Sequence, residues 1–282
     1  MIEPNYKHPA ELPDDEDDGA RVPVRPRRKG IYVLPNAITL AALFSGFYAI
    51  VMAMHGRFEF ACIAIFCAAV LDSLDGRVAR MTNAQSAFGE QMDSLSDMVS
   101  FGAAPALIVY IWAFQDMGKL GWIPAFVYIA GAALRLARFN VNIGVVDKRF
   151  FQGLPSPAAA AIVIGMIWAF DDSGFRQVTG TPWIVWTAYA LTLFAGLSMV
   201  TNAPFYSFKV LGARRTVPFV VLVAIAMAIA LISQNPAKGL FAIFCAYGLS
   251  GYAVYLWRKA KGKQVSMIAT STDEPDEQGL HR

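Results

Sequence analysis

The chain has 282 residues, of which 56% are hydrophobic and 16% are charged, with a mean hydropathy of +0.44 and a formal net charge of +3. Ordinary soluble domains carry roughly 25% charged residues, so this composition excludes a typical water-soluble globular protein. The apolar residues come in blocks of about 20, the length that a helix needs to cross a hydrocarbon core. We therefore expect an all-α, polytopic transmembrane helix bundle, because helices satisfy their backbone hydrogen bonds internally.

The chain divides into a membrane domain and two polar tails. Residues 1–29 contain an acidic run followed by a basic run, and such segments are usually solvated. Residues 30–257 form the predicted membrane domain, and residues 258–282 form the second tail. The apolar blocks predict eight transmembrane helices. Their expected ranges are 31–54, 58–79, 88–113, 120–140, 153–170, 182–203, 216–233 and 238–257.

The distribution of basic residues predicts the orientation of this bundle. Eight helices place both termini on one side of the membrane. Of the 24 Lys and Arg residues, only Arg57, Lys119, Arg176 and Lys238 then fall on the opposite side. Basic residues concentrate in cytoplasmic loops of membrane proteins. We therefore expect both termini, and the loops on their side, to lie in the cytoplasm.

Four aspartates lie near the cytoplasmic ends of the second and third predicted helices. Asp72 and Asp75 are three residues apart, and Asp93 and Asp97 are four apart, so each pair shares a helix face. They either mark helix ends in headgroup water or, if the faces meet, form one cluster. A charge inside a membrane costs about 2.5–3.5 kcal/mol or more, so clustered carboxylates need a compensating cation. Oxygen ligands suit Mg²⁺ or Mn²⁺, and shared carboxylates can hold two ions for phosphoryl chemistry.

Small residues accompany this cluster on both helices. Gly76, Ala79 and Gly89 allow either close helix packing or the approach of a nucleotide to the backbone. Arg80 is either an interfacial anchor or a partner for the cluster or a substrate phosphate. At the start of the first helix, Asn36 and Thr39 can hydrogen-bond a nucleoside or cap the helix behind a proline.

The spacing of these residues forms a motif. It reads Asp72-x2-Asp75-Gly76-x2-Ala79-Arg80-x8-Gly89-x3-Asp93-x3-Asp97. At every specified position it resembles the signature of the CDP-alcohol phosphatidyltransferase family. The family core would cover about residues 31–205 and leave the helices of 216–257 outside.

The resemblance implies a reaction and a set of roles. A CDP-linked lipid would bind beside the metal, an alcohol would attack the lipid-side phosphorus, and CMP would leave. Asp72, Asp75 and Asp93 would be metal ligands. Asp97 would be the general base, also close to the metal, and the protein would be a homodimer. Asn36, Thr39, Asp72, Gly76, Ala79, Arg80 and Gly89 would contact the CDP-lipid.

Shorter stretches resemble the bacterial phosphatidylserine synthase branch of this family. They are LPNAIT (34–39), SDMVSFGAAPA (96–106), ALRLARFN (133–140), FQGLPSPAAA (151–160) and VTNAPFYSFK (200–209). This implies CDP-diacylglycerol and L-serine as substrates and the bacterial inner membrane as the location. Candidate residues for the serine carboxylate or a phosphate are Arg135, Arg138, Gln152, Ser156 and Lys209. The two arginines can instead be interfacial anchors, and Ser156 can be a plain helix cap.

Two groups of alternatives remain open at this point. The acceptor can be glycerol 3-phosphate, inositol phosphate or choline instead of serine. A divalent-cation transporter could also use the aspartates, although transport sites usually lie at the middle of the membrane and not near helix ends. The sequence shows no nucleic-acid-binding patch beyond the tails, and we expect no such partner.

Overall fold

The computed structural model describes residues 33–82, 84–141, 150–175, 181–206 and 232–261, together with residues 178 and 223. These residues include seven long helices. They are α1 (Val33–Met54), α2 (Phe58–Met81), α3 (Ala87–Leu120), α4 (Trp122–Val141), α5 (Ser156–Asp172), α6 (Pro182–Val200) and α7 (Pro236–Ala260). Each corresponds to one of the predicted helices. The other predicted helix, 216–233, falls almost entirely outside the described residues.

Five of these helices are long and apolar enough to cross a membrane. They are α1, α3, α4, α6 and, up to Trp257, α7. Large apolar side chains such as Phe44, Phe126 and Leu197 are more than half exposed, as expected for surfaces that face lipid. The prediction of an all-α polytopic membrane protein is therefore confirmed.

Helix α5 lies at the centre of the bundle. Every residue from Ala158 to Ile167 is buried. The helix packs against α2, α6 and α7. A helix that is apolar on all sides is covered either by other helices or by lipid, and here other helices cover this stretch. The alanine-rich sequence of its first half also allows its neighbours to approach closely.

Helix α3 is irregular immediately after the second pair of aspartates. A regular α-helix (Ala87–Asp97) gives way to a π-helical segment, Met98–Ala103, and a second one follows at Tyr110–Phe114. The buried Tyr128 hydroxyl of α4 donates a hydrogen bond of 2.9 Å to the carbonyl of Phe101. Such widened turns are frequent at functional sites. The helix ends in a 3₁₀ segment at Leu120, beyond the predicted limit of residue 113.

A short antiparallel ribbon lies at the end of the bundle that carries the aspartates, with one strand before α5 and the other after α6. Strand β1 (Phe150–Gln152) pairs with β2 (Pro204–Tyr206). The predicted fifth helix was to begin at residue 153, but α5 begins at Ser156. Gly153 has a φ of +77°, which a helix cannot accommodate, and its N–H donates to the carbonyl of Ala203 at 3.0 Å. Helix α6 ends at Val200 instead of residue 203, because the backbone of Thr201 is extended, with a ψ of 160°.

Candidate active site

Three carboxylates from two helices meet at this end of the bundle. One oxygen from each of Asp72, Asp75 and Asp93 can be chosen so that all three lie within 4.8 Å of one another. Asp75 is buried, and the other two are half-buried. The faces of α2 and α3 therefore do meet, which the spacing within each pair had left open. Three hard oxygen donors in such a volume fit Mg²⁺ or Mn²⁺, which prefer oxygen ligands.

Asp97 lies next to this group, one helical turn beyond Asp93. Its carboxyl adjoins that of Asp72. Its Oδ1 atom is buried and has no hydrogen-bond partner among the described residues. Asp97 is not one of the three carboxylates that converge within 4.8 Å. It therefore retains an oxygen that can accept a proton or a hydrogen bond from a substrate.

A cleft of about 210 Å³ opens beside the carboxylates, between the start of α1, the end of α2 and the start of α3. Asp75 and Asp93 form part of its wall. Most of the residues predicted to contact a CDP-lipid also line it: Asn36, Thr39, Gly76, Ala79, Arg80 and Gly89. Asp72, predicted with them, does not line the cleft and lies in the carboxylate group instead.

Gly89 keeps one side of this cleft open. A Cβ atom at this position would lie 3.3 Å from Oδ1 of Asn36 and 3.2 Å from Oγ of Ser86. Ser86 caps α3 by accepting a hydrogen bond of 3.0 Å from the Gly89 N–H. Ser86 was not among the residues predicted from the sequence, although a serine just before a helix is a recognised start signal.

Thr39 contacts the carboxylate group directly. Its Oγ1 donates to Oδ2 of Asp75 at 2.7 Å and lies 3.1 Å from the carbonyl of Pro35. Thr39 was predicted to bind the nucleoside or to cap the helix. The structure gives its hydroxyl a carboxylate partner on the neighbouring helix, while Thr39 also lines the cleft in which the nucleoside contact was predicted.

The two arginines of α4 have different partners. Arg135 donates from Nη1 to Oγ of Ser156 at 2.7 Å, while its Nε is buried with no hydrogen-bond partner among the described residues. Its charge also acts on Asp97. Arg138 donates to the carbonyl of Val200 at 2.7 Å and to Oδ1 of Asn202 at 3.3 Å.

Asn202 connects Arg138 to the ribbon. Its Oδ1 also accepts a hydrogen bond of 2.9 Å from Nε2 of Gln152 in β1. Arg138 and Gln152 therefore share Asn202 as a hydrogen-bond acceptor, and Asn202 was not among the predicted site residues. The only signal was the position of Asn202 within the quoted stretch 200–209. Lys209, the remaining candidate, lies outside the described residues.

The sequence is similar to those of known proteins of one family. The family model described as CDP-alcohol phosphatidyltransferase matches residues 32–194. A CDP-diacylglycerol–serine O-phosphatidyltransferase of Helicobacter pylori is 31% identical over 229 residues, which cover 81% of this chain and 92% of that protein. The enzyme of the same name from Mycobacterium leprae is 34% identical over 184 residues, covering 62% and 59% of the two chains. The archaetidylserine synthase of Methanothermobacter thermautotrophicus is 39% identical over 132 residues, covering 46% and 55%. The chain thus belongs to the CDP-alcohol phosphatidyltransferase family.

Proposed function

We propose that this protein transfers the phosphatidyl group of CDP-diacylglycerol to the hydroxyl of L-serine and releases CMP. The names of the three relatives each contain serine as the acceptor or as part of the product. The observation that carries the proposal is the buried Nε of Arg135, which has no hydrogen-bond partner among the described residues and belongs to a side chain whose charge acts on Asp97. Family membership also favours transferase chemistry over cation transport.

We assign the metal to the aspartate cluster. Asp72, Asp75 and Asp93 would hold Mg²⁺ or Mn²⁺, with Asp97 alongside, and shared carboxylates would allow two ions. When bound, the metal would neutralise charge on the diphosphate and on the leaving CMP. The aspartates would therefore determine where the diphosphate of the lipid lies.

The nucleotide would occupy the cleft beside the cluster. Asn36 offers an amide to the cytidine, and the exposed Arg80 offers its guanidinium to a phosphate. Gly76, Ala79 and Gly89 would let the nucleotide approach the helix backbones. This arrangement would point the diphosphate towards Asp75 and Asp93, which form the wall of the cleft.

Asp97 and Arg135 would position and activate serine. The Arg135 guanidinium would bind the serine carboxylate, and Asp97 would accept the hydroxyl proton. Because serine carries its carboxylate and its CH₂OH group on the same carbon, a cation and a carboxylate that act on each other can bind both. The serine oxygen would then form a bond to the lipid-side phosphorus as the bond from phosphorus to the CMP oxygen breaks. A carboxylate base of this kind contributes typically 10²–10⁴-fold to a rate.

The placement of the chain in the membrane is part of the proposal. The described basic residues near the aspartates include Arg77, Arg80, Arg135 and Arg138, whereas Arg57, Lys119 and Lys238 lie near the opposite helix ends. This asymmetry supports an active site that faces the cytoplasm. We place the protein in the bacterial inner membrane, as a homodimer, with residues 30–257 as the catalytic domain and polar tails on either side.

CMP release tests the acceptor assignment. Purified protein in detergent, supplied with CDP-diacylglycerol and Mn²⁺ or Mg²⁺, should release CMP when L-serine is added. Glycerol 3-phosphate, inositol phosphate and choline should give no release above the acceptor-free control. Release with one of these acceptors but not with serine would overturn the assignment while leaving the transferase chemistry intact.

The different partners of the two arginines predict different effects of their substitution. Arg135→Gln should raise the KM for serine about 10- to 100-fold, because hydrogen bonds to a charged group contribute about 1.5–3 kcal/mol. Arg138→Gln should lower the melting temperature and leave that KM near the wild-type value, because Arg138 is bonded to Val200 and Asn202. Steady-state kinetics give the KM for serine, and thermal unfolding gives the melting temperature. A raised serine KM in Arg138→Gln alone would reverse the two roles.

A further inference from the structure

We infer that Thr39 is a positioning residue, which holds the carboxylate of Asp75 in the orientation that binds the metal. The inference rests on the proposed metal site. It gives α1 a role in that site, although α1 contributes none of the clustered carboxylates. Thr39 would act through Asp75 and not by touching the metal or the reacting atoms.

The first argument is the contact itself. Thr39 and Asp75 are 36 positions apart in sequence and are buried, at 4% and 5% exposure. The distance of 2.7 Å from Oγ1 to Oδ2 is typical of a hydroxyl that donates to a carboxylate. A hydroxyl has a single proton, and the carbonyl of Pro35 is further away, at 3.1 Å. The proton therefore goes to Asp75 and holds its carboxylate in one orientation.

The second argument is that α3 fixes the position of Thr39. The buried Ser96 donates from Oγ to the carbonyl of Thr39 at 3.3 Å, and Ser100 donates to the carbonyl of Ala42 at 3.2 Å. A Cβ atom on Gly46 would lie 2.8 Å from Cα of Ser100, so the two helices approach closely one turn further on. Because these serines lie one turn apart on α3, they fix the register of α1.

These contacts form a connected arrangement. Ser96 lies between Asp93 and Asp97 in the sequence of α3. It holds the backbone of Thr39, and Thr39 holds Asp75 on α2. The three helices that carry or support the cluster are thereby fixed relative to one another. Residues that orient a metal ligand in this way typically change metal affinity 10- to 100-fold when they are replaced.

Mn²⁺ binding to the full-length protein in detergent, measured by electron paramagnetic resonance without substrates, tests the inference. Thr39→Val keeps the side-chain shape but removes the hydroxyl, and it should weaken Mn²⁺ binding about 10- to 100-fold. Thr39→Ser keeps the hydroxyl and should bind Mn²⁺ with nearly wild-type affinity. Thr39→Ala supplies a second variant without the hydroxyl, so that the affinity can be measured even if one of the two does not fold.

Thr192→Val is the matched control. Thr192 is also buried within a helix, and its hydroxyl has no hydrogen-bond partner among the described residues. Its substitution should leave Mn²⁺ affinity unchanged. An equal loss of Mn²⁺ affinity in Thr192→Val would show a general loosening of the bundle and would overturn the inference.

Two other outcomes separate this inference from the proposed function. If Thr39→Val binds Mn²⁺ normally but binds CMP more weakly at saturating Mn²⁺, Thr39 contacts the nucleotide and only the inference fails. If the wild-type protein binds no more Mn²⁺ than the Asp93→Asn variant, the proposed metal site fails, and the role of Thr39 fails with it.

Discussion

Asp97→Asn should lower kcat about 10²- to 10⁴-fold, the range that general-base catalysis contributes, while Mn²⁺ and CDP-diacylglycerol still bind. An asparagine amide retains the shape of the side chain but cannot take the proton of the serine hydroxyl. Asp97 suits this role because its Oδ1 is buried and has no hydrogen-bond partner among the described residues. Arg135, which acts on the same carboxylate, would bring the acceptor to it. CMP release under saturating substrates gives kcat, and separate titrations give the two affinities.

Asp172→Asn is the matched control for this substitution. Asp172 lies at the opposite end of α5 and forms a partly exposed ion pair of 3.8 Å with Lys238. Exposed ion pairs contribute little to stability, so this variant should keep wild-type kcat and affinities. If Asp97→Asn loses Mn²⁺ affinity to the same extent as turnover, Asp97 is a metal ligand first and its assignment as a base is wrong.

Asp93→Asn should abolish activity by a different route, through loss of the metal. Asp93 is one of the three carboxylates that converge, and it also forms part of the wall of the nucleotide cleft. Replacing residues that only support a ligand costs 10- to 100-fold in metal affinity, so removing a ligand should cost at least about 100-fold. Mn²⁺ titration of the protein without substrates measures this directly.

Excess metal distinguishes the two aspartate variants. Raising the Mn²⁺ concentration should restore part of the activity of Asp93→Asn, because its defect is in binding. It should restore none in Asp97→Asn, whose defect is in proton transfer. Normal Mn²⁺ affinity in Asp93→Asn would contradict its assignment as a ligand.

The sequence was sufficient for features that depend on local spacing. Runs of about 20 apolar residues specify membrane helices regardless of their neighbours, because a backbone in lipid must satisfy its own hydrogen bonds. The intervals of three and four residues within each aspartate pair place the two carboxylates on one face of a helix. The spacing left open whether the two faces meet, and the structure shows that Asp72, Asp75 and Asp93 do converge.

Other features depended on contacts between segments that are far apart in the chain. The ribbon pairs residues 150–152 with 204–206, and each strand is too short to leave a periodic signal. The two arginines of α4 have the same local sequence character. Only the approach of Ser156 to one, and of Val200 and Asn202 to the other, makes them different.

Thr39 shows both kinds of feature, one that depends on local sequence and one that depends on a contact with a distant segment. Its position behind Pro35 at the start of a helix indicated a cap or a nucleoside contact, both of which are local roles. Its partner, Asp75, lies 36 positions away on another helix. A threonine hydroxyl has one proton to donate, and the sequence alone does not show which of several possible acceptors receives it. The sequence by itself therefore determined the long helices of the described residues and the spacing of the aspartates, while only the packing of α1 against α2 and α3 decided which acceptor receives the proton of Thr39.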